Sequence, residues 1–270
     1  MTKLVRFSLN PRCEPTAPDG SPDVRYGRLD GDVILESGFF WTGARGASLA
    51  RAQVRLLPPC WPSKIVCVGR NYLEHARELG NQPPSEPLIF LKPPSSLIAD
   101  GDDIVYPPIS QRVDHEAELG VVIGRRARHV RAEEADQYVL GYTSVNDVTA
   151  RDLQKKDGQW TRGKGFDTFC AVGPWIVPRE EVSLTDVRVR ALVDGVVKQD
   201  APATDMIFPV GVIIAFITEF MTLEPGDLVA TGTPPGVGPV QPGALIRIEV
   251  TGVGAIENRV VQGWPGAVHP

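Results

Sequence analysis

The sequence predicts an α+β protein in which mixed β-sheet dominates, and three observations support this class. Glycine (27 residues) and proline (25 residues) are both frequent and spread along the chain, which suits many short strands joined by turns. Short runs with apolar residues at every second position recur, above all in the second half. Only residues 209–220 have the clear spacing of an amphipathic helix, with one side formed by Val212, Ile213, Phe216, Ile217 and Phe220.

Residues 1–58 are expected to form a small N-terminal β element. Strand patterns occupy residues 4–7, 24–29 and 32–35, and the Asp30-Gly31 pair between the last two is a hairpin turn signal. The Leu-Leu-Pro-Pro run at 56–59 is predicted to link this element to a larger region, residues 62–270.

The larger region is predicted to contain many strands and few helices. Asn71 can cap a short helix over residues 72–79, and Gly80 can end it. A second helix is predicted at 132–138 and a helical turn at 148–155. Strands are predicted at 64–68, 88–91, 104–106, 116–123, 140–146, 175–177, 188–193, 196–198, 228–231 and 246–250.

Composition excludes several functional classes. The net charge is −5, and no basic run is long enough to indicate nucleic-acid binding. We expect no membrane association and a cytoplasmic location, because no apolar stretch approaches a membrane span and the N-terminus lacks the apolar core of a secretory signal. No cysteine pair has CxxC spacing, so reduced thiols are expected at Cys13, Cys60, Cys67 and Cys170. With only four histidines, a multi-histidine metal site is nearly excluded.

The most informative segment is the acidic strand pattern over residues 114–124. Alternation along a strand would place Asp114, Glu116 and Glu118 on one face and His115 on the other. Carboxylates at that spacing repel each other and are costly to bury, and a divalent cation bound between them removes both problems. Oxygen ligands favour Mg²⁺, Mn²⁺ or Ca²⁺ over zinc. The alternative is an edge strand with a solvated acidic face, and His115 is interpreted as structural.

Asp147 is a candidate third ligand, because it follows an apolar strand and precedes a helical turn. It could equally be the N-cap of that helix. Arg151 and Gln154 lie four and seven residues further on, close to the same helical face as Asp147. A solvated surface pair is the alternative for both.

His75 and Glu78 have i, i+3 spacing on the predicted helix at 72–79 and can therefore pair. A carboxylate that orients an imidazole makes a general base, although surface His/Glu pairs are common. His129 and His269 are expected on the surface.

A loop over residues 231–239 (TGTPPGVGP) follows a predicted strand and offers backbone N–H groups and hydroxyls to an anionic oxygen. A plain turn is the alternative, since neither a P-loop nor a GxGxxG motif is present. Lys164 lies between two glycines, where its ammonium could approach a carboxylate.

Taken together, these segments resemble the fumarylacetoacetate hydrolase superfamily over roughly residues 62–260. The matching blocks run in order along the chain: Gly69-Arg70-Asn71-Tyr72 with His75 and Glu78, Phe90-Leu91-Lys92-Pro93, Asp114-x-Glu116-x-Glu118-Leu119, Asn146-Asp147-Val148-Thr149-Ala150-Arg151-Asp152 with Gln154, Lys164-Gly165-Phe166-Asp167, and Thr231-Gly232-Thr233-Pro234-x-Gly236-Val237-Gly238. The lid motif and the short N-terminal region look like the branch of acylpyruvate hydrolases, oxaloacetate decarboxylases and 2-hydroxyhepta-2,4-diene-1,7-dioate isomerases.

The resemblance implies a mixed β-sandwich roll around a Mg²⁺ or Mn²⁺ site, in a homodimer. By the family pattern, Glu116, Glu118 and Asp147 would be the metal ligands. His75 and Glu78 would lie on a lid, with His75 as the base. Substrate oxygens would be contacted by Lys164, Gln154 and Thr233, and further by Arg70 and Lys92.

The expected substrate is a small 2-oxo acid or its enol, as in aromatic catabolism. Its hydrolysis, isomerisation or decarboxylation would proceed through a common enolate, so the residues do not separate the three reactions. Two other classes stay open: a non-catalytic module that retains the metal for structure, and a β-rich protein that binds Ca²⁺ for stability.

Overall fold

The computed structural model describes residues 1–9, 23–78 and 82–263, and for residues 44, 45, 75 and 76 it describes the backbone alone. The strands in these ranges are β1 (Lys3–Ser8), β2 (Arg25–Asp30), β3 (Val33–Ser37), β4 (Ala44–Ala50), β5 (Arg55–Leu56), β6 (Ile65–Gly69), β7 (Leu88–Lys92), β8 (Leu97–Ile98), β9 (Ile104–Tyr106), β10 (Val113–His115), β11 (Ala117–Ile123), β12 (Val139–Asp147), β13 (Thr149–Ala150), β14 (Cys170–Pro178), β15 (Arg188–Val193), β16 (Val196–Pro202), β17 (Leu228–Ala230), β18 (Gly238–Val240), β19 (Leu245–Val250) and β20 (Gly254–Gln262).

Helices are few within the same ranges. The α-helices are α1 (Leu73–Glu78), α2 (Arg151–Asp157), α3 (Thr161–Lys164) and α4 (Val210–Phe220). Short 3₁₀ helices cover Phe39–Trp41, Arg51–Gln53, Pro94–Ser96, Ala132–Tyr138, Arg179–Glu181 and Ala203–Asp205. The predicted α+β class with dominant, mixed β-sheet is therefore confirmed.

Within the described ranges, the strands form three sheets. The largest has the order β4-β3-β2-β1-β14-β12-β11-β17-β6-β7, with β5 beside β1 and β8 beside β14. A five-stranded sheet has the order β16-β15-β19-β20-β9, and a small sheet has the order β13-β10-β18. The chain leaves the small sheet at β10 and enters the large sheet at β11, so the acidic segment lies where these two sheets meet.

Strand β11 is buried along its whole length, because both of its faces are covered. Leu119, Val121 and Ile123 pack into the main hydrophobic core. Val122 points to the opposite face, into a second core that it shares with Val145 of β12. The apolar alternation that predicted this strand therefore reflects packing on one face, while Glu118 shares the other face with Val122.

The acidic segment is not the one continuous strand that the sequence predicted. The break falls at Glu116, between β10 and β11. The Glu116 N–H donates to the side-chain Oδ1 of Asn146 on β12 (3.0 Å) rather than to a backbone carbonyl. Asp114 therefore belongs to the small sheet and Glu118 to the large one, while the Arg151 side chain contacts both Asp114 and Glu116.

Helix α4 begins at Val210, after Pro209, and buries a different stripe from the predicted one. The buried apolar residues are Val210, Ile213, Ile214 and Ile217, at i, i+3, i+4 and i+7. Val212 and Phe220, which we predicted on the packed side, are 39% and 54% exposed. The buried face of α4 is therefore rotated by part of a turn from the face that the sequence predicted.

The N-terminal strands extend the large sheet instead of forming a sheet of their own. Strand β1 pairs antiparallel with β14, with Leu4 opposite Ile176, and with β2 on its other side. In the predicted linker, Leu56 and Leu57 are both buried. The division into regions 1–58 and 62–270 stays a prediction. The expected helix end at Leu79 and Gly80, as well as Cys13 and His269, lie outside the described residues.

Candidate metal centre

Two neighbouring strands bring the three predicted ligands together. Strands β11 and β12 pair antiparallel, with Ala117 opposite Asn146. Glu116 immediately precedes β11 and Asp147 ends β12, and the Asp147 N–H donates to the Glu116 carbonyl (2.9 Å). Glu118 follows on the same strand as Ala117. The pairing register therefore brings three acidic residues from two separated segments together, where β11 begins and β12 ends.

The carboxylates of Glu116, Glu118 and Asp147 form a buried triad. One oxygen from each lies within 4.8 Å of the others, and the residues are 4%, 1% and 0% exposed. Three carboxylate oxygens at this separation match the donor set that Mg²⁺, Mn²⁺ or Ca²⁺ prefers. The triad is consistent with divalent-metal binding, and its assignment as the ligand set stays a prediction.

Lysines from two other elements neutralise part of the negative charge of the triad. The Lys164 ammonium, at the end of α3, donates to Glu116 Oε2 (2.7 Å) and Asp147 Oδ2 (2.6 Å). Burial disfavours its charge, but the adjacent Asp147 and Glu116 carboxylates outweigh this and raise the pKa of Lys164. Lys92, at the end of β7, donates to Asp147 Oδ1 (2.6 Å) and to the Val148 carbonyl (3.1 Å).

Arg151 holds Glu116 from the other side. Its guanidinium forms an ion pair with Glu116 Oε1, and it donates to Asp114 Oδ2 (2.9 Å) and to Gln154 Oε1 (2.7 Å). Arg112 also holds Asp114, because its Nε donates a hydrogen bond to Asp114 Oδ1 (2.9 Å). Asp114 therefore supports the triad through Arg151 and is not a fourth acidic group within it.

Glu118 is the triad member whose negative charge is least compensated. It accepts the Gly232 N–H (2.8 Å), and among the described residues no basic side chain forms an ion pair with it. Burial and then the neighbouring Asp147 and Glu116 charges raise its pKa well above the usual range. A divalent cation would remove this electrostatic penalty, so the residues present fit the metal that the donor set indicates.

The 231–239 loop is anchored to the same strand. The Thr231 hydroxyl donates to the Leu119 carbonyl (2.9 Å). Gly232 has φ of 98°, and a Cβ there would lie 2.6 Å from the Cβ of Asn71, so glycine is required in this place. These restraints direct the Gly232 N–H to Glu118, and Thr233 follows directly in the chain.

A pocket of about 360 Å³ opens above the triad. It is lined by Val68, Gly69, Arg70, Phe90, Glu116, Glu118, Asp147, Arg151, Gln154, Lys155, Gly158, Trp160, Lys164 and Thr233. The predicted substrate contacts Arg70, Gln154, Lys164 and Thr233 thus lie around one cavity with the triad. Lys92 is not part of this wall, because its side chain is fully buried against Asp147.

Sequence reasoning missed the aromatic wall of the pocket. Trp160 stands edge-on to Phe90, with ring centroids 5.2 Å apart, and the Arg70 guanidinium lies 5.9 Å from the Trp160 ring. Gly69 is packed so closely that a Cβ there would lie 2.7 Å from Trp160. A tryptophan in the otherwise polar stretch 155–164 was the signal that could have indicated this role.

Helix α1 lies beside the 231–239 loop, since Glu78 Oε2 accepts the Gly236 N–H (3.2 Å). His75 is on this helix, but its side chain lies outside the described residues, so its assignment as a base stays a prediction. The other histidines behave as expected where they are described. His115 is buried and lies 3.1 Å from Gln199 Oε1, and His129 is exposed.

The described cysteines are reduced and buried, as predicted: Cys60, Cys67 and Cys170. Burial raises the pKa of the Cys60 thiol to about 12 and that of the other two thiols as well. In the described part of the chain, none of the helices has the length and apolar character needed to span a bilayer.

Comparison with known proteins agrees with the fold. The family model described as fumarylacetoacetate (FAA) hydrolase C-terminal matches residues 64–261, so the chain belongs to this family. A curated relative, the mitochondrial oxaloacetate decarboxylase of Dictyostelium discoideum, is 47% identical over 196 residues, covering 70% of this chain and 89% of the relative.

Two similar solved structures are of proteins named for other enzyme activities. The 2-hydroxyhepta-2,4-diene-1,7-dioate isomerase from Mycobacterium marinum is 41% identical with a TM-score of 0.84, covering 97% of this chain and 99% of that chain. The fumarylpyruvate hydrolase from Pseudomonas aeruginosa, in complex with Mn²⁺ and pyruvate, is 33% identical with a TM-score of 0.71, covering 77% and 92%. The family thus contains isomerases, hydrolases and decarboxylases that act on small molecules.

Proposed function

We propose that this protein is a divalent-metal-dependent enzyme that acts on small 2-oxo acids or their enols. The observation that carries the proposal is the buried triad of Glu116, Glu118 and Asp147 at the base of an open pocket. Mg²⁺ or Mn²⁺ is the expected ion, with Ca²⁺ possible on the same donor set. The Mn²⁺ and pyruvate in the similar hydrolase structure support both parts of the proposal.

The triad residues would hold the ion, which, when bound, supplies Lewis-acid stabilisation of negative charge on substrate oxygens. The chain adds its own groups to this task. Lys164 brings a buried ammonium to the triad, and Thr233 brings a hydroxyl to the pocket that the triad lines. Preorganised donors of this kind stabilise an enolate oxygen without reorganisation during the reaction.

Substrate orientation is assigned to the pocket wall. Gln154 Oε1 accepts a bond from Arg151, which fixes the carboxamide and leaves its N–H₂ group to meet a substrate oxygen. Arg70 lies at the aromatic side of the pocket and would bind an anionic group. Lys92 is better explained as a support of Asp147 than as a substrate contact, because its ammonium has no exposed surface.

The proton-transfer step is assigned to helix α1. For hydrolysis, His75 oriented by Glu78 would take a proton from the attacking water, and the pyruvate-type enolate would leave. For isomerisation, the same pair would move a proton along the diene. The contact between Glu78 and the Gly236 N–H supports a position of α1 close to the site.

Hydrolysis of acylpyruvates and isomerisation of 2-hydroxyhepta-2,4-diene-1,7-dioate-type compounds are our preferred reactions. The chain matches the isomerase structure over nearly its whole length, which favours this choice. Decarboxylation of oxaloacetate is the second candidate, and it is supported by the 47% identical curated relative. It requires no attack by water, so it does not depend on His75.

A substrate panel tests the proposal: acylpyruvates, 2-hydroxy-diene-dioates and oxaloacetate, each with Mg²⁺, with Mn²⁺ and with a chelator. We expect turnover of at least one compound only when metal is present. Glu118→Gln should abolish it, because the change removes a ligand charge at constant volume. The matched control is Glu133→Gln, at an exposed position outside the pocket. Turnover that survives both the chelator and Glu118→Gln would overturn the assignment.

Calorimetry separates an enzyme from a module that binds metal for structure alone. Oxalate mimics the enolate of pyruvate, and an enzyme site should bind it only when Mg²⁺ is present. Metal binding without oxalate binding would favour the structural module. The homodimer and the cytoplasmic location also stay predictions, and sedimentation analysis tests the first of them.

A further inference from the structure

Gln199 connects the 231–239 loop to the acidic segment. It lies on β16 in the five-stranded sheet, and it is 1% exposed. Its Oε1 accepts the Ala117 N–H (2.9 Å) and lies 3.1 Å from Nδ1 of His115. Its Nε2 donates to Thr233 Oγ1 (2.8 Å) and to the Pro234 carbonyl (2.7 Å).

The Gln199 carboxamide can adopt only one orientation in this environment. Exchange of its oxygen and nitrogen would place the NH₂ group against the Ala117 N–H and the oxygen against the Pro234 carbonyl. In the observed orientation, both hydrogens of Nε2 are used. The Thr233 hydroxyl oxygen must therefore accept from Gln199.

This fixed polarity determines what Thr233 can do. A hydroxyl has one hydrogen to donate, and its oxygen already accepts from Gln199. Among the residues that the structure describes, no acceptor takes the Thr233 hydrogen, and Thr233 lines the pocket above the triad. The hydrogen is thus left for a group inside the pocket.

We propose that Gln199 is a positioning residue that fixes the Thr233 hydroxyl as a hydrogen-bond donor into the pocket. The site would thereby select a ligand that presents an acceptor oxygen at this point, such as a carboxylate or an enolate. This inference rests on the proposed function, because it assigns Thr233 to the substrate site. The simpler alternative is that Gln199 only fastens the loop to the acidic segment.

Gln199→Glu is the sharpest test, because it replaces the donor with a group of the same shape. An ionised carboxylate only accepts, so the Thr233 hydrogen would turn toward it and the ligand would meet a lone pair. We expect the Kd of oxalate in the presence of Mg²⁺ to rise about tenfold to a hundredfold, the range for a lost hydrogen bond to a charged group.

A double-mutant cycle separates positioning from both general structure and added charge. Thr233→Val removes the hydroxyl and keeps the shape. If Gln199 acts through Thr233, then Gln199→Glu should raise the Kd little further in the Thr233→Val background. If Gln199 only holds the loop, or if the new charge repels oxalate, the same fold-change should appear in both backgrounds, and the proposal is overturned.

Gln199→Met is the second variant, in case the buried carboxylate prevents folding. It frees the hydroxyl to rotate, so we expect a smaller rise in Kd that again disappears in the Thr233→Val background. Wild-type affinity in a folded Gln199 variant would overturn the proposal, and so would loss of folding in both variants, which would assign a purely structural role. Absence of Mg²⁺-dependent oxalate binding in the wild type would instead contradict the proposed function.

Discussion

The Nζ of Lys92 lies 2.6 Å from Oδ1 of Asp147, and both side chains are fully buried. Lys92 therefore compensates the negative charge of Asp147 from the side that faces away from the pocket. Removal of one partner of a buried pair typically costs about 3–5 kcal/mol, because the other charge is left without compensation.

We accordingly expect Lys92→Met to lower the free energy of unfolding by about this amount at neutral pH, as measured by urea denaturation. Mg²⁺ affinity should also change, because Asp147 loses one of the two lysine bonds that orient it. Lys156→Met, at an exposed position of α2, is the matched control and should have little effect. A Lys92→Met protein of wild-type stability with a raised KM alone would favour a substrate contact instead.

The raised pKa of Glu118 predicts how the stability of the metal-free protein depends on pH. The folded state holds this proton more tightly than the unfolded chain, whose glutamate titrates at about 4.3. The stabilisation is therefore fully present below about pH 4.3 and is lost as the pH rises through the higher, folded-state pKa. One proton contributes a slope of at most about 1.4 kcal/mol per pH unit.

Urea denaturation in chelator, repeated across pH, measures this slope. The difference between the wild type and Glu118→Gln isolates the contribution of Glu118 from those of other groups. Mg²⁺ should reduce the loss of stability at high pH, because it compensates the charge that is created there. A pH dependence identical in the two proteins would contradict the prediction.

Gly69→Ala should displace the aromatic wall. The new Cβ would lie 2.7 Å from Cζ3 of Trp160, closer than real Cβ atoms approach. We expect stability to fall by about 1–3 kcal/mol and the Kd of oxalate with Mg²⁺ to rise, since Trp160 lines the pocket. Trp160→Phe removes the ring atoms that clash, so the double variant should recover part of the stability. No recovery would mean that the strain lies elsewhere.

The buried cysteines should be inert in the folded protein. Cys60, Cys67 and Cys170 are buried, and burial raises the pKa of each thiol, which suppresses the reactive thiolate. In a Cys13→Ser background, we expect almost no reaction with a thiol-specific disulfide reagent under native conditions. Reaction of all three thiols should follow on unfolding in guanidinium. Rapid native labelling would show that one of them is accessible.

The triad was predictable from sequence because its information is local. Glu116 and Glu118 interrupt an apolar pattern, and Asp147 follows another one, so each position is marked by its own segment. Antiparallel pairing of neighbouring strands then brings these positions together with few alternatives. The strand break at Glu116 was not predictable, because it depends on the side chain of Asn146, thirty residues away.

Other features depend on contacts between sheets, which leave little trace in local patterns. Strand β20 was missed because Asn258 faces inward among its apolar residues, where it donates to the Ala99 and Asp102 carbonyls. Gln199 resembles any polar strand residue until β16 is placed opposite Thr233. The buried face of α4 differs from the predicted one because α4 packs against distant segments, including the 3₁₀ helix Ala132–Tyr138.

The pairing of β1 with β14 has a consequence for any shortened form of this chain. Without residues 1–58, the part of β14 near Ile176 would lose its neighbour and become an exposed edge strand with unpaired backbone groups. Exposed edge strands pair with strands from other molecules. Strand β14 also pairs directly with β12, which ends in Asp147. Self-association of a truncated protein would thus begin one strand away from the candidate metal centre.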